Sequence, residues 1–288
     1  MSETRWTAAD VDLRAIRRAA LLLAALLGLA AARPASALAE DLVRFSSAAP
    51  RPEPGKQPRP GGGAIEGYLT KPKGDGPFPA VVLLHSCLGL PATRRAIADL
   101  FAGWGYAALF VDEFTTRGIK ETCAADFKDG PSDAFGALRY LSKLPTVDAK
   151  RIAVVGYSQG ADTVLQLASR RFASTFLVPR GADFRAAAAF YPPCANQADV
   201  KLEIPTLILV GQSDDVTPAA DCERLAKSQP GPGPDFKLVV YPGAHHLFDD
   251  PGLAGGRRVL GMWLQYDAPA AEQSKSEIRD FLAAKLGR

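Results

Sequence analysis

The sequence predicts an α/β fold: a mainly parallel, twisted sheet of about eight strands with helices on both faces. Three observations carry this reading. Short, continuous apolar runs such as 80–85 and 106–111 have the pattern of strands buried on both faces. Helical stretches fall between them, which implies right-handed β-α-β units. Finally, Gly156-Tyr157-Ser158-Gln159-Gly160 stands between one apolar run and one helical stretch. A serine at the apex of a sharp strand-to-helix turn is a nucleophile elbow, whereas the same five residues elsewhere make an ordinary Gly-rich turn.

The elements follow in chain order. Leu42-Val43-Arg44-Phe45 is a short strand. Residues 47–64 hold so much Pro and Gly that they read as a loop or linker. The triple glycine at 61–63 has no following Lys-Ser/Thr, so it is not a phosphate loop. Residues 65–71 read as an edge strand, closed by the turn 72–76. Strand 80–85 leads to a helix over 93–103, then to strand 106–111 ending at Asp112. A polar loop runs on to Cys123, and a helix covers 133–143. The elbow strand 152–155 and helix 161–169 come next. Strands at 186–191, 206–210 and 236–241 follow, with a last helix over 278–286. In open α/β sheets the chemistry sits in loops at the carboxyl ends of the strands.

The 288 residues are 47% hydrophobic, enough for one sizeable core. With 34 basic and 31 acidic residues and no basic cluster, the chain lacks a nucleic-acid footprint. Arg14, Arg17 and Arg18 precede an uncharged apolar run over 19–32, and Ala37 and Ala39 then fit a small-x-small cleavage rule. Residues 1–39 read as a signal peptide cleaved after Ala39, with cleavage after Ala37 or an uncleaved anchor as alternatives. The Arg17-Arg18 pair is a weak twin-arginine signal. Cleavage removes five basic and three acidic residues, leaving 29 against 28. The expected organisation is a signal peptide (1–39), an N-terminal segment with a Pro/Gly-rich loop (40–64) and a catalytic domain (65–288). The mature protein is expected in the periplasm or outside the cell, without a stable membrane span. Cys87, Cys123, Cys194 and Cys222 would then meet oxidising surroundings. Four cysteines allow three pairings, and spacing alone does not choose.

A serine hydroxyl is a weak nucleophile until a base takes its proton and a carboxylate orients the base. The chain has three histidines. His245 and His246 follow the last strand, and either serves as the base. Asp214 and Asp215 follow the preceding strand: one reads as the acid, the other as a cap or a solvated residue. Asp112 is the reserve acid, and His85 reads as structural. Ser, Asp and His each fall after a strand, in the chain order of α/β-hydrolases. No metal is expected, because adjacent histidines do not share a helical face and no partners stand at ligand spacing. No cofactor is implied.

These residues resemble the dienelactone hydrolase family of α/β-hydrolases. The matching segments are 81–90, 156–160, 211–218 and 241–248. The resemblance implies Asp214 as the acid, three residues after Gly211 and four before Pro218. It implies His246 as the base, since the family's histidine precedes x-Phe, here Leu247-Phe248. It implies backbone N–H groups of Cys87 and Gln159 as oxyanion donors. Three departures stand beside it. The family archetype has a Cys nucleophile where this chain has Ser158, a Glu near the oxyanion loop where it has Ser86, and a carboxylate-binding Arg where it has Asp249-Asp250. A general carboxylic ester, a small molecule, is therefore the expected substrate, with Arg117 either facing the site or solvated.

The implied fold also pairs Cys87 with Cys123 and Cys194 with Cys222, against the alternative of buried free thiols. Pocket shape is assigned to residues 113–131 and 172–184. Two other functions share the fold: a peptidase of the prolyl-oligopeptidase type, and a binding protein without turnover. The sequence carries no oligomeric signal.

Overall fold

The computed structural model describes residues 38–51, 62–171, 175–177, 181–229 and 235–287. The expected signal peptide, up to Ala37, and most of the Pro/Gly-rich loop therefore lie outside the described residues, as does part of 172–184.

Eight strands form one sheet in the order β1-β2-β4-β3-β5-β6-β7-β8. They are β1 (Glu40–Ser46), β2 (Ala64–Thr70), β3 (Phe78–Leu84), β4 (Ala107–Asp112), β5 (Val147–Tyr157), β6 (Phe184–Phe190), β7 (Thr206–Gly211) and β8 (Phe236–Tyr241). From β4 through β8 every neighbouring pair is parallel. The β1–β2 and β2–β4 pairs are antiparallel, so the sheet is mixed. The edge at this end is β1. Strand β2, expected as the edge, is covered by β1 across the register Glu40↔Thr70 to Ser46↔Ala64. Its alternating buried and half-buried positions look like an edge in sequence, because only its outer face touches little.

The parallel strands carry residues of both cores. Val82 and Leu84 pack with α2 (Gly130–Leu141), α3 (Gln159–Ala168) and α4 (Ala219–Ser228). Val81 and Leu83 pack with α1 (Arg94–Gly103) and α5 (Ala268–Leu286). All four side chains have no exposure, and each such burial contributes about 1.5–3 kcal/mol. This two-sided burial is the reason β3 reads as an unbroken apolar run.

One element escaped the sequence reading, and another was read short. A hairpin of β9 (Arg257–Val259) and β10 (Met262–Leu264) stands apart from the main sheet and touches the histidine loop through a His246↔Leu264 bridge. Helix α5 begins ten residues before the expected 278. Its cap was legible: the Asp267 side chain accepts from the Ala270 backbone N–H, with Pro in the first turn.

Candidate active site

Ser158 sits at φ 53° and ψ −112°, between the end of β5 and the first residue of α3. A non-glycine residue there is strained by about 1–3 kcal/mol. The surroundings hold it in place: the Ser158 N–H donates to Phe190 O at 3.0 Å, and the Gly160 N–H donates to His85 O at 3.1 Å. Gly156 must be glycine, because a Cβ there would lie 2.2 Å from Gly160 O. The elbow glycines are thus a packing requirement of strand against helix.

The histidine and aspartate loops meet under a similar constraint. A Cβ on Gly211 would lie 2.2 Å from Ala244 O, and the Ser213 N–H donates to that same carbonyl at 2.9 Å. This approach brings the two loops together. His246 Nε2 lies 3.0 Å from Ser158 Oγ, and His246 Nδ1 lies 2.7 Å from Asp214 Oδ2. Asp214 and His246 are both buried. The other Asp214 oxygen accepts from the Val216 and Thr217 backbone N–H groups at 2.9 and 2.8 Å.

The alternatives separate cleanly. Asp215 is exposed. The His245 ring packs edge-on to Trp263, and its neighbour His246 is the one that reaches Ser158. Asp112 caps its own turn, accepting from the Phe114 and Thr115 N–H groups. His85 is buried: its Nδ1 donates to Ser86 O at 2.8 Å, and its Nε2 accepts from the Glu113 N–H at 3.3 Å. Burial pulls the His85 pKa down, which favours the neutral ring that can accept.

Cys87 and Gln159 are held by one loop. Disulfides join Cys87 to Cys123 and Cys194 to Cys222, and no described cysteine is free. Next to the first, the Thr122 N–H donates to Cys87 O at 2.9 Å, and the Thr122 hydroxyl donates to Gln159 Oε1 at 2.7 Å. No hydrogen bond among the described residues takes up the backbone N–H groups of Cys87 or Gln159. The 113–131 loop therefore fixes the two candidate oxyanion donors. Among the described residues no group of His, Cys, Asp and Glu could hold a metal ion.

Arg117 neither faces this site nor stands free in solvent. It pairs with buried Asp133 at 2.8 Å and also donates to Glu113 O and Ser47 Oγ. It ties the loop after β4 to α2 and to the end of β1. Glu113 is buried beside it, and burial, with the Asp133 carboxylate adding, pushes its pKa well up.

Two further residues went unread in the sequence. The Thr217 hydroxyl lies 2.9 Å from Asp214 Oδ2, 3.2 Å from His246 Nδ1 and 3.1 Å from Tyr191 O. The Tyr191 ring packs against that of His246, tilted by 60° with centroids 4.7 Å apart. The signal for Thr217 was its place three residues after the acid, in an Asx-type turn. Tyr191 carried no signal beyond its position at the end of a strand. A cavity of about 300 Å³ is lined by Ser86, Tyr157 and Leu247, each next in sequence to a candidate site residue. Its walls come from residues 85–91, from α1 and from residues 247–251, with Lys275 of α5 at one side. None of the described residues of 113–131 and 172–184, expected to shape the pocket, lines it.

The sequence pattern of the dienelactone hydrolase family matches residues 65–286. An uncharacterized protein of Mycobacterium tuberculosis, MT2364, is 30% identical over 212 residues, which is 68% of this chain and 72% of the relative. Esterase FrsA of Klebsiella pneumoniae is 34% identical over 112 residues, 38% of this chain but only 26% of the esterase. In fold, the chain is similar to dienelactone hydrolase from Anabaena variabilis, with a TM-score of 0.59 and 19% identity, covering 87% of this chain and 99% of that one. It is also similar to a dienelactone hydrolase-like promiscuous phosphotriesterase from metagenomic libraries, at TM-score 0.61 and 21% identity, covering 86% and 100%. The chain belongs to the dienelactone hydrolase family, and so to the hydrolases of ester bonds.

Proposed function

We propose that this protein cleaves carboxylic esters through an acyl-enzyme formed on Ser158. The observation that carries the reading is the continuous relay from Ser158 Oγ to His246 Nε2 at 3.0 Å and from His246 Nδ1 to Asp214 Oδ2 at 2.7 Å. Ser158 Oγ attacks the ester carbonyl as His246 Nε2 takes its proton. The tetrahedral intermediate collapses, and the alkoxide leaves with that proton. Water then gives a proton to His246 and attacks the acyl carbonyl. The proton returns to Ser158 as the acid product departs. Asp214 keeps the Nδ1–H tautomer and stabilises the imidazolium. The backbone N–H groups of Cys87 and Gln159 receive the developing oxyanion, usually a large catalytic contribution.

Burst kinetics on p-nitrophenyl butyrate tests this. One equivalent of p-nitrophenol released per enzyme before the steady state is the expected result; a linear trace that also fails to leave any acyl adduct on Ser158 would refute the covalent route. Running prolyl p-nitroanilides beside the ester distinguishes a peptidase.

We also propose that residues 1–39 direct export and leave on cleavage. Supporting this are the charged, apolar and small-x-small regions of that stretch and the two disulfides of the folded part. Leu38 and Ala39 lead directly into β1, so a mature chain beginning at Glu40 retains the whole sheet. N-terminal sequencing of exported protein checks the boundary.

A further inference from the structure

The cavity lined by Ser86, Tyr157 and Leu247 has an unusual wall. Most of it is apolar or aromatic, with Leu88, Leu90, Ile97, Tyr157, Tyr191 and Leu247 facing in. Its charged residues are Asp249, Asp250 and Lys275. The Lys275 Nζ pairs with Glu272 at 2.6 Å rather than with either aspartate. Asp250 caps the following turn through the Gly252 N–H. Asp249 is half-buried and lines the cavity. One of its oxygens accepts from the Tyr191 hydroxyl at 2.7 Å. No Lys or Arg pairs with it among the described residues. A carboxylate without a cation, flanked by two tyrosine rings, is the chemistry that receives an ammonium group.

We propose that this cavity binds the apolar arm of the ester and that Asp249 selects a cationic terminus on that arm over a neutral one of the same shape. The proposal rests on the hydrolase reading above and names the substrate class for the same site. A carboxylate-bearing ester is rejected by the same wall, because it would be desolvated beside a second carboxylate.

The preference follows the charge on Asp249. Burial raises its pKa from 3.8 to about 6, with the Tyr191 hydroxyl pulling the other way. The groups around it are Tyr157 from β5, Tyr191 just after β6, Asp250 on the same loop, His246, and, lining the same cavity, His85 and Lys275 with its partner Glu272 from α5. Burial holds both tyrosines protonated at neutral pH. Asp249 is therefore charged above about pH 6 and neutral below it, so the preference exists at high pH and fades at low pH.

Two matched pairs of substrates test this. One varies the alcohol: butyrylcholine against 3,3-dimethylbutyl butyrate. The other varies the acyl group: p-nitrophenyl 4-trimethylammoniobutanoate against p-nitrophenyl 5,5-dimethylhexanoate. Within a pair, only the charge of the terminus differs. In the pair whose variable arm enters the cavity, kcat/KM at pH 8 favours the cation by about tenfold. That ratio falls toward one at pH 5 and in Asp249→Asn, which still accepts from Tyr191. Because both esters of a pair use the same catalytic groups, the pH dependence common to both cancels from the ratio. A ratio of one or below in both pairs overturns the proposal, as does a ratio that ignores pH in the native protein, should the variant fail to fold. Calorimetric binding of phenyltrimethylammonium, compared with pH 5 and with Asp249→Asn, reads the cavity without turnover. Binding that weakens in both with no ester cleaved sinks the hydrolase reading and keeps the selective wall. Cleavage of neutral esters with no such binding does the reverse.

Discussion

Replacing Asp214 by Asn tests the orientation of the base. Asp214 Oδ1 accepts the Val216 and Thr217 backbone N–H groups, while Oδ2 faces His246 Nδ1 and the Thr217 hydroxyl. Asn keeps both turn bonds by placing its carbonyl where Oδ1 stood. Its amide then points N–H donors at His246 Nδ1, which must accept. The ring proton moves to Nε2, the atom that should receive the Ser158 proton. Restoring the working tautomer gives up a charge-assisted hydrogen bond, about 1.5–3 kcal/mol, and leaves a buried donor unmatched, about 1–3 kcal/mol. The total of about 3–6 kcal/mol corresponds to a loss of two to four orders of magnitude in kcat/KM. The assay is p-nitrophenyl butyrate hydrolysis at neutral pH, with thermal unfolding as the control, since the turn bonds survive. A loss below tenfold with unchanged unfolding would refute the assignment of Asp214.

Other outcomes follow from the same geometry. Thr217→Val removes the hydroxyl between Asp214 and His246, so kcat falls by about tenfold with KM unchanged, and Thr217→Ser restores it; equal losses in kcat and KM for Val would contradict a positioning role. The disulfides span sequence separations of 36 and 28 residues, so replacing either pair by Ala costs about 4 kcal/mol of stability on the chain-entropy account. Only the Cys87/Cys123 double variant loses activity under conditions where both remain folded, because that bond braces a proposed oxyanion donor; thermal unfolding and esterase rates measured together check the difference. Glu113 has a pKa well above 4.5 in the folded state, so the folded protein holds a proton that the unfolded chain releases as pH rises above 4.5. Its contribution to stability therefore falls with rising pH, and Glu113→Gln has the higher unfolding midpoint at pH 8, with the gap closing toward pH 4. A gap that widens toward acid would reverse the sign.

The parallel core was legible because burial on both faces leaves no polar alternation to confuse: β3, β4 and β7 stand in the sequence as plain apolar runs. The antiparallel end was not, since β1 has only one neighbour and a mostly exposed pattern, and nothing local records that it lies beside β2. Ser158 was legible because its strained turn demands small residues at fixed offsets. Asp214 over Asp215 and His246 over His245 could not be resolved by residue type; adjacent residues in a loop differ only in which way the backbone turns them. Arg117 shows the complementary failure. A loop arginine reads as solvated, and its partners Ser47 and Asp133 lie 70 and 16 residues away. The cavity wall was hidden for a similar reason, because α1, residues 247–251 and α5 meet only in the folded chain.

The central claim, that Ser158 is a nucleophile activated by His246, is most directly tested by a fluorophosphonate probe. Incubate the folded protein with the probe, digest it, and locate the adduct by mass spectrometry. One stoichiometric adduct on Ser158, formed at least a hundredfold more slowly in His246→Ala, is the result this account predicts. Labelling on another residue, or labelling of Ser158 at an undiminished rate without His246, would contradict it.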